Sequence, residues 1–216
     1  MDLNYKTIIE YLSDSNNKIN FPIKQNIMRY ANYFENDFSK LLTKDFYMYG
    51  INIYDNFQNN ISLWSSILFL TEKRFLTMDK NQQITFIDLI NKQFIEFIKN
   101  NYKKFINKSK FSRNFSMDIL RKKEFNPLIL ELISYCLNLN IIIFNFEDEK
   151  VNVINSDDIY NPWKSTILLG KYKEFWEPIC NNNNKLFNYS NNCIKEILNG
   201  EVFYFENEYL DRDYTL

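Results

Sequence analysis

The chain has 216 residues, 45% of them apolar and 18% aromatic, which is enough for one domain with a substantial core and too hydrophobic for a disordered segment. Its 26 basic side chains oppose 27 acidic ones, and the resulting net charge of −1 argues against a dedicated nucleic-acid binder. It contains no histidine, so zinc hydrolases of the HExxH type and Ser-His or Cys-His hydrolases are excluded for this chain acting alone.

Abundant Asn, Ile, Lys and Tyr beside only three glycines indicate an AT-rich coding sequence, a bias met in eukaryotic parasites and large DNA viruses. The asparagine runs are therefore read first as composition and only then as signal. Three cysteines (Cys136, Cys180 and Cys193) make an odd count without metal-ligand spacing, so a reducing compartment and no metal or cofactor are expected. That compartment is the cytoplasm, or the virion or host cytoplasm for a viral chain. No apolar run reaches the roughly 20 residues of a membrane span, and MDLNYKTIIEYL lacks a basic segment followed by an apolar one, so neither a membrane nor a secretory role is expected.

Residues 1–54 read as a helical N-terminal extension. Ile8, Ile9 and Leu12 give one amphipathic turn, Pro22 breaks the chain, and helical spacing resumes from about Gln25 to Leu42. MYGINIYDNF, with alternating Ile51 and Ile53, is an extended lead-in. In NNISLWSSILFL, polar residues precede an apolar run, which predicts a helix from Ser62 to Phe69 or beyond with Ser62 as N-cap. A longer amphipathic helix follows over roughly Gln83 to Asn107, its apolar face carried by Ile84, Ile87, Ile90, Phe94, Ile98, Tyr102 and Phe105.

Residues 99–123 are lopsided. Lys99, Lys103, Lys104, Lys108, Lys110, Arg113, Arg121, Lys122 and Lys123 face Asp118 alone, interleaved with Tyr102, Phe105, Phe111 and Phe115. Lys103, Lys104, Lys108, Lys110 and Arg113 form a candidate patch for an anionic partner, which makes a nucleic-acid-associated protein the alternative functional reading. Against it, helical spacing explains most of the rings as core and the lysines as their solvated back.

Pro127 opens a helix, PLILELISYCLNL, at the position where proline is best tolerated. It leads into the buried strand IIIFNF, a turn at Asp148–Glu149 and a hairpin partner at Val151 to Ile154. STILLG is another strand, and KYKEFWEPIC a turn and a strand ending at Pro178. Asn181 to Asn184 reads as a loop, Cys193 to Leu198 as a short helix, and VFYF as an added strand or docking segment before an acidic tail. Helices first and short strands second predict an α+β domain, with helices packed on a small, mainly antiparallel sheet.

This order, together with two motifs, resembles the ovarian-tumour (OTU) family, papain-like cysteine proteases that cleave ubiquitin chains. Asn60, Leu63, Trp64, Ser66 and Ile67 resemble the residues around the family's nucleophile, and Ser62 stands where the cysteine would be, with one extra residue after the asparagine. Phe175-Trp176-Glu177-Pro178 is similar to the family's His-aromatic signature, with Phe175 in the histidine's place. The resemblance spans residues 55–180 and leaves 181–216 as an Asn-rich loop and an aromatic-to-acidic tail.

The family's chemistry needs a thiolate and an imidazole. A serine and a phenylalanine supply neither, so the resemblance implies an inactive domain. Its role is then that of a protein-interaction module, with ubiquitin or subunits of a larger assembly as partner. A Ser-Lys pair drawn from Ser62 or Ser65 with Lys171 or Lys173 would need a desolvated lysine, and both lysines sit in a charge-rich turn. Phe175 is expected to fill the space of the imidazole beside Ser62.

Overall fold

The computed structural model describes residues 24–26, 46–49, 51, 55–57, 59–106, 127–155, 159–181, 184–200 and 203–204. Among these, β1 (Lys24–Asn26) and β2 (Phe46–Tyr49) precede three helices, α1 (Ser62–Thr71), α2 (Lys80–Ile106) and α3 (Pro127–Leu137). Then come β3 (Leu139–Asn145), β4 (Lys150–Ile154), β5 (Ser165–Tyr172), β6 (Phe175–Asn181), α4 (Asn192–Asn199) and β7 (Phe203–Tyr204). The strands form one sheet in the order β1-β2-β6-β5-β3-β4-β7, so the fold is α+β.

The sheet is mixed and mainly antiparallel, as expected, with seven strands. β3 runs parallel to β5 and β4 parallel to β7, while the other neighbours are antiparallel. Within residues 1–54, the described strands β1 and β2 continue the sheet beyond β6. Gln25 and Asn26, expected to open a helix, lie in β1. The rest of that expected helix, the turn at Ile8 to Leu12 and most of the acidic tail lie outside the described residues.

β3 explains the apolar run of its sequence, because every one of its residues is buried. Ile141 and Ile143 face the core under α1, α2 and α3, with Trp64, Phe69, Ile133, Ile167 and Trp176. Ile142 and Phe144 face the other core, with Phe46, Met48, Leu168, Ile179 and, from α4, Ile194 and Ile197. A strand covered on both faces has no polar side to show, which is why periodicity of two is missing from IIIFNF. α1 has the same character on a helix: all ten residues are buried.

β6 runs past Pro178 to Asn181 instead of ending there. A proline gives no N–H to a ladder, but β2 pairs only with Ile179, Cys180 and Asn181. Pro178 therefore falls just beyond the last β2 pair, opposite Tyr49 at the end of that strand.

One asparagine network fixes the loop between β4 and β5. Asn140, on β3 and fully buried, donates through Nδ2 to the carbonyls of Asn161 (2.9 Å) and Lys164 (3.2 Å). Its Oδ1 accepts from the Asn161 N–H at 2.9 Å and from Asn155 Nδ2. Replacing Asn140 by leucine would strand these buried groups, each costing about 1–3 kcal/mol. Urea denaturation of Asn140→Leu should show a loss of about 2 kcal/mol or more. A change within about 0.5 kcal/mol would contradict the network's structural role.

Candidate functional site

The N-terminus of α1 is built from a short loop folded around a buried carboxylate. Asp55 Oδ1 accepts from the N–H groups of Phe57 (2.8 Å) and Asn59 (2.9 Å), and its Oδ2 from Asn59 Nδ2 (2.9 Å). This sets Asn60, which works in two directions. Its Nδ2 donates to the Glu174 carbonyl at 2.7 Å, across to the turn between β5 and β6. Its Oδ1 accepts both the Ser62 N–H (2.9 Å) and the Ser62 hydroxyl (2.7 Å).

Ser62 is therefore not the N-cap. That position is Ile61, whose side chain caps nothing, and Asn60 satisfies the first helical N–H from one residue further back. Ser62 is instead the first helical residue, completely buried, and its Oγ accepts the Trp176 N–H at 3.0 Å. Two stretches 114 residues apart in sequence are thus joined by this hydroxyl and by Asn60 Nδ2. The bond falls where β2 has ended, so Ser62 takes the place of a strand partner at the start of β6.

The structure brings Ser62 to Trp176 and separates it from Phe175. Along β6, Trp176 and Cys180 belong to the core under α1, while Ile179 belongs to the core on the other face. Phe175, one residue before Trp176, lines a pocket with Met48, Phe146 and Gly170 on that other face. The expectation that Phe175 fills a space beside Ser62 is corrected by this alternation: the residue that meets the helix is Trp176.

The lysines of the suggested Ser-Lys pair are engaged elsewhere. Lys171 Nζ lies 5.8 Å from the centroid of the Trp176 ring, and the exposed Lys173 lies 5.5 Å from that of Tyr172. Lys173 sits at φ 54° in the β5–β6 turn, the left-handed backbone that a tight hairpin demands. Ser65 and Ser66 are completely buried and their hydroxyls make no hydrogen bond among the described residues. The Ser62 proton points at an amide oxygen, which accepts hydrogen bonds but is no proton acceptor at neutral pH.

The three thiols are held protonated. Burial raises Cys136 well above its ordinary value, pushes Cys180 to about 12, and with Glu196 pushes Cys193 to about 12. Of the basic patch, Lys103 and Lys104 lie on α2, while Lys108, Lys110 and Arg113 are outside the described residues. No group of three or more Cys, Asp or Glu that could hold a metal occurs among the described residues, and no helix there is long and apolar enough to cross a membrane.

One side chain that holds α1 in place gave no sequence signal. Lys185 closes the far end of α1, donating to the Phe69 carbonyl at 2.7 Å with its ammonium 4.7 Å from the Phe69 ring centroid. Burial lowers its pKa to about 8; the nearby Lys73 adds to this, while Cys180 and Glu72 oppose it. Nothing in the surrounding NNNNKLF marks it.

Compared with known proteins, the chain matches no family model and no curated protein. Among solved structures it is similar to an ovarian-tumour domain in complex with ubiquitin, at 16% identity and a TM-score of 0.48, over 72% of this chain and 83% of that one.

Two measurements follow from the two ends of α1. Ser62→Ala removes the acceptor of a buried N–H and should lower stability by about 1–3 kcal/mol; an unaffected urea midpoint would contradict the bridging role. At the other end, Lys185 titrates at about 8 when folded against 10.5 ordinarily, so from pH 8 upward the folded chain releases a proton that the unfolded chain keeps. Its contribution to stability rises with pH in that window. Cys180 acts oppositely, but only above its ordinary value of 9.0. Between about pH 8 and pH 9 the wild type should therefore gain stability relative to Lys185→Met. Parallel profiles would contradict the buried amine.

Proposed function

We propose that this chain is a catalytically inactive OTU-like domain that serves as a protein-interaction module or as a subunit of a larger assembly. The observation that carries the reading is the Ser62 hydroxyl, whose donor and acceptor capacities are both used internally, by Asn60 Oδ1 and the Trp176 N–H. The stretches that resemble the family's nucleophile and histidine motifs meet in space, which favours the resemblance. What they make there is a fastening, not a nucleophile with its base. A hydroxyl needs a base even more than a thiol does, and no proton acceptor is bonded to this one.

The interaction role is supported by the surface. Trp163 is 93% exposed, and Ile159 on the same loop 66%. The loop's backbone is held by buried Asn140 at Asn161 and Lys164, so the ring is presented on a fixed support. Tryptophan on a preorganised loop is the residue type that anchors protein interfaces, because little ordering entropy is lost on binding. Ubiquitin is the partner that the family resemblance implies.

The test uses a ubiquitin derivative carrying a C-terminal electrophile. Wild-type protein and Ser62→Cys should both remain unmodified, since a cysteine placed here still lacks a base. Covalent capture of either would overturn the inactive reading. For the interaction role, titration of labelled ubiquitin should perturb a contiguous set of resonances, reduced by Trp163→Ala. Unperturbed ubiquitin at millimolar concentration would remove it as the partner.

A further inference from the structure

The chain has three glycines, and one of them follows an asparagine, in Asn199-Gly200. Such a pair can react without any second protein. The backbone nitrogen of the following residue attacks the asparagine carboxamide carbon and closes a succinimide ring. Glycine exposes that nitrogen best, because it has no side chain to shield it or to restrict the backbone. Every other asparagine in the chain precedes a larger residue. Those that hold the fold, Asn60 and Asn140, are also tied by hydrogen bonds at both ends of their amides.

The structure leaves this pair open to solvent and lightly held. Asn199 is the last residue of α4 and Gly200 its C-cap, and both are exposed. The Gly200 N–H is shared between the carbonyls of Glu196 and Ile197, at 3.2 Å each. Divided bonds of this kind mark helix ends, where opening costs little. Gly200 sits at φ −80° and ψ −171°, so the left-handed closure that often seals a helix end is not made here. The side-chain cap of α4 is at its other end, where Asn191 accepts from the Cys193 N–H at 3.0 Å. Ile194 and Ile197 anchor the helix in the core, and Asn199 lies beyond both.

We propose that Asn199 is a self-modifying site, converted to isoaspartate when the last turn of α4 opens. The Gly200 nitrogen, its proton passed to hydroxide, bonds to the Asn199 side-chain carbonyl carbon, and the amide nitrogen leaves as ammonia. Water then opens the ring at either carbonyl. One product is aspartate; the other is isoaspartate, in which the main chain runs through the side chain and is longer by a methylene. While α4 is closed, its two carbonyls hold the Gly200 N–H away from the carboxamide. The helix end is thus the gate, and its fraying sets the rate.

Conversion changes the fold locally. A carboxylate appears at the negative end of α4, one turn from Glu196, where the helix dipole disfavours it. The lengthened link lies between α4, fixed by its isoleucines, and β7, whose Phe203 and Tyr204 pair with Asn152 and Val153 of β4. Isoaspartate at residue 199 therefore loosens β7. None of this depends on the state of Ser62.

The test incubates the full chain at mildly alkaline pH for several weeks and reads its peptides by mass spectrometry, with fragmentation that separates isoaspartate from aspartate. Asn199 should convert ahead of every other asparagine, and faster in denaturing urea, where the gate is gone. Amide exchange at Tyr204 should quicken in the converted chain. Gly200→Ala, whose Cβ would lie no closer than 3.4 Å to a neighbour, should slow conversion by roughly tenfold, in the fold and in urea alike. The urea comparison keeps that variant informative even if its folding is impaired. The proposal is overturned if the folded chain stays unconverted, if another asparagine reacts first, or if folded and denatured rates are equal. A Gly200→Ala chain that converts as fast as the wild type contradicts it too.

Discussion

The hydrogen bond from the Trp176 N–H to Ser62 Oγ is the constraint on which the organisation of this domain turns. A helix buried on all sides has no solvent to satisfy the N–H groups of its first turn. A strand that outruns its neighbour faces the same difficulty along its edge. Here the two problems meet and answer one another. Asn60 supplies the helix, Ser62 supplies the strand, and Asn60 Nδ2 holds the adjoining turn through Glu174. Pro178, which has no N–H to satisfy, lies opposite the last residue of β2.

The sheet has two unlike faces. Under α1, α2 and α3 the residues at the start of β6 are committed to structure: Trp176 packs in the core and Ser62 is sealed behind it. On the other face, Phe175 and Glu177 help to line a pocket, and Gly170 lets Phe146 and Met48 pack closely against β5. Alternation along one strand thus turns consecutive residues, Phe175 and Trp176, to opposite faces of the sheet.

Apolar patterning made the frame legible in the sequence. IIIFNF, PLILELISYCLNL and the spaced isoleucines of α2 were readable because burial of those side chains dominates their energetics. The pairing of the two motifs was also readable, since NNISLW and FWEP do meet. Three things were not. Asparagine was discounted as compositional bias, yet Asn60 and Asn140 carry the hydrogen bonds that matter most; a polar residue's partner is set by the tertiary fold, which composition does not encode. Which of Phe175 and Trp176 faces the helix depends on strand register, and a shift of one residue exchanges the faces. β1 and β2 are three and four residues long, too short to show a period, and gain their stability from the edge of β6.

Hydrogen exchange at the Trp176 amide tests the central fastening most directly, because it reports on that one donor. Its N–H should exchange as slowly as amides of β3 and β5 in the wild type. In Ser62→Ala it should exchange faster by tenfold or more, the factor that corresponds to about 1.4 kcal/mol. Rapid exchange in the wild type, or protection unchanged by the substitution, would show that Ser62 does not hold the strand and would reopen its hydroxyl to another role.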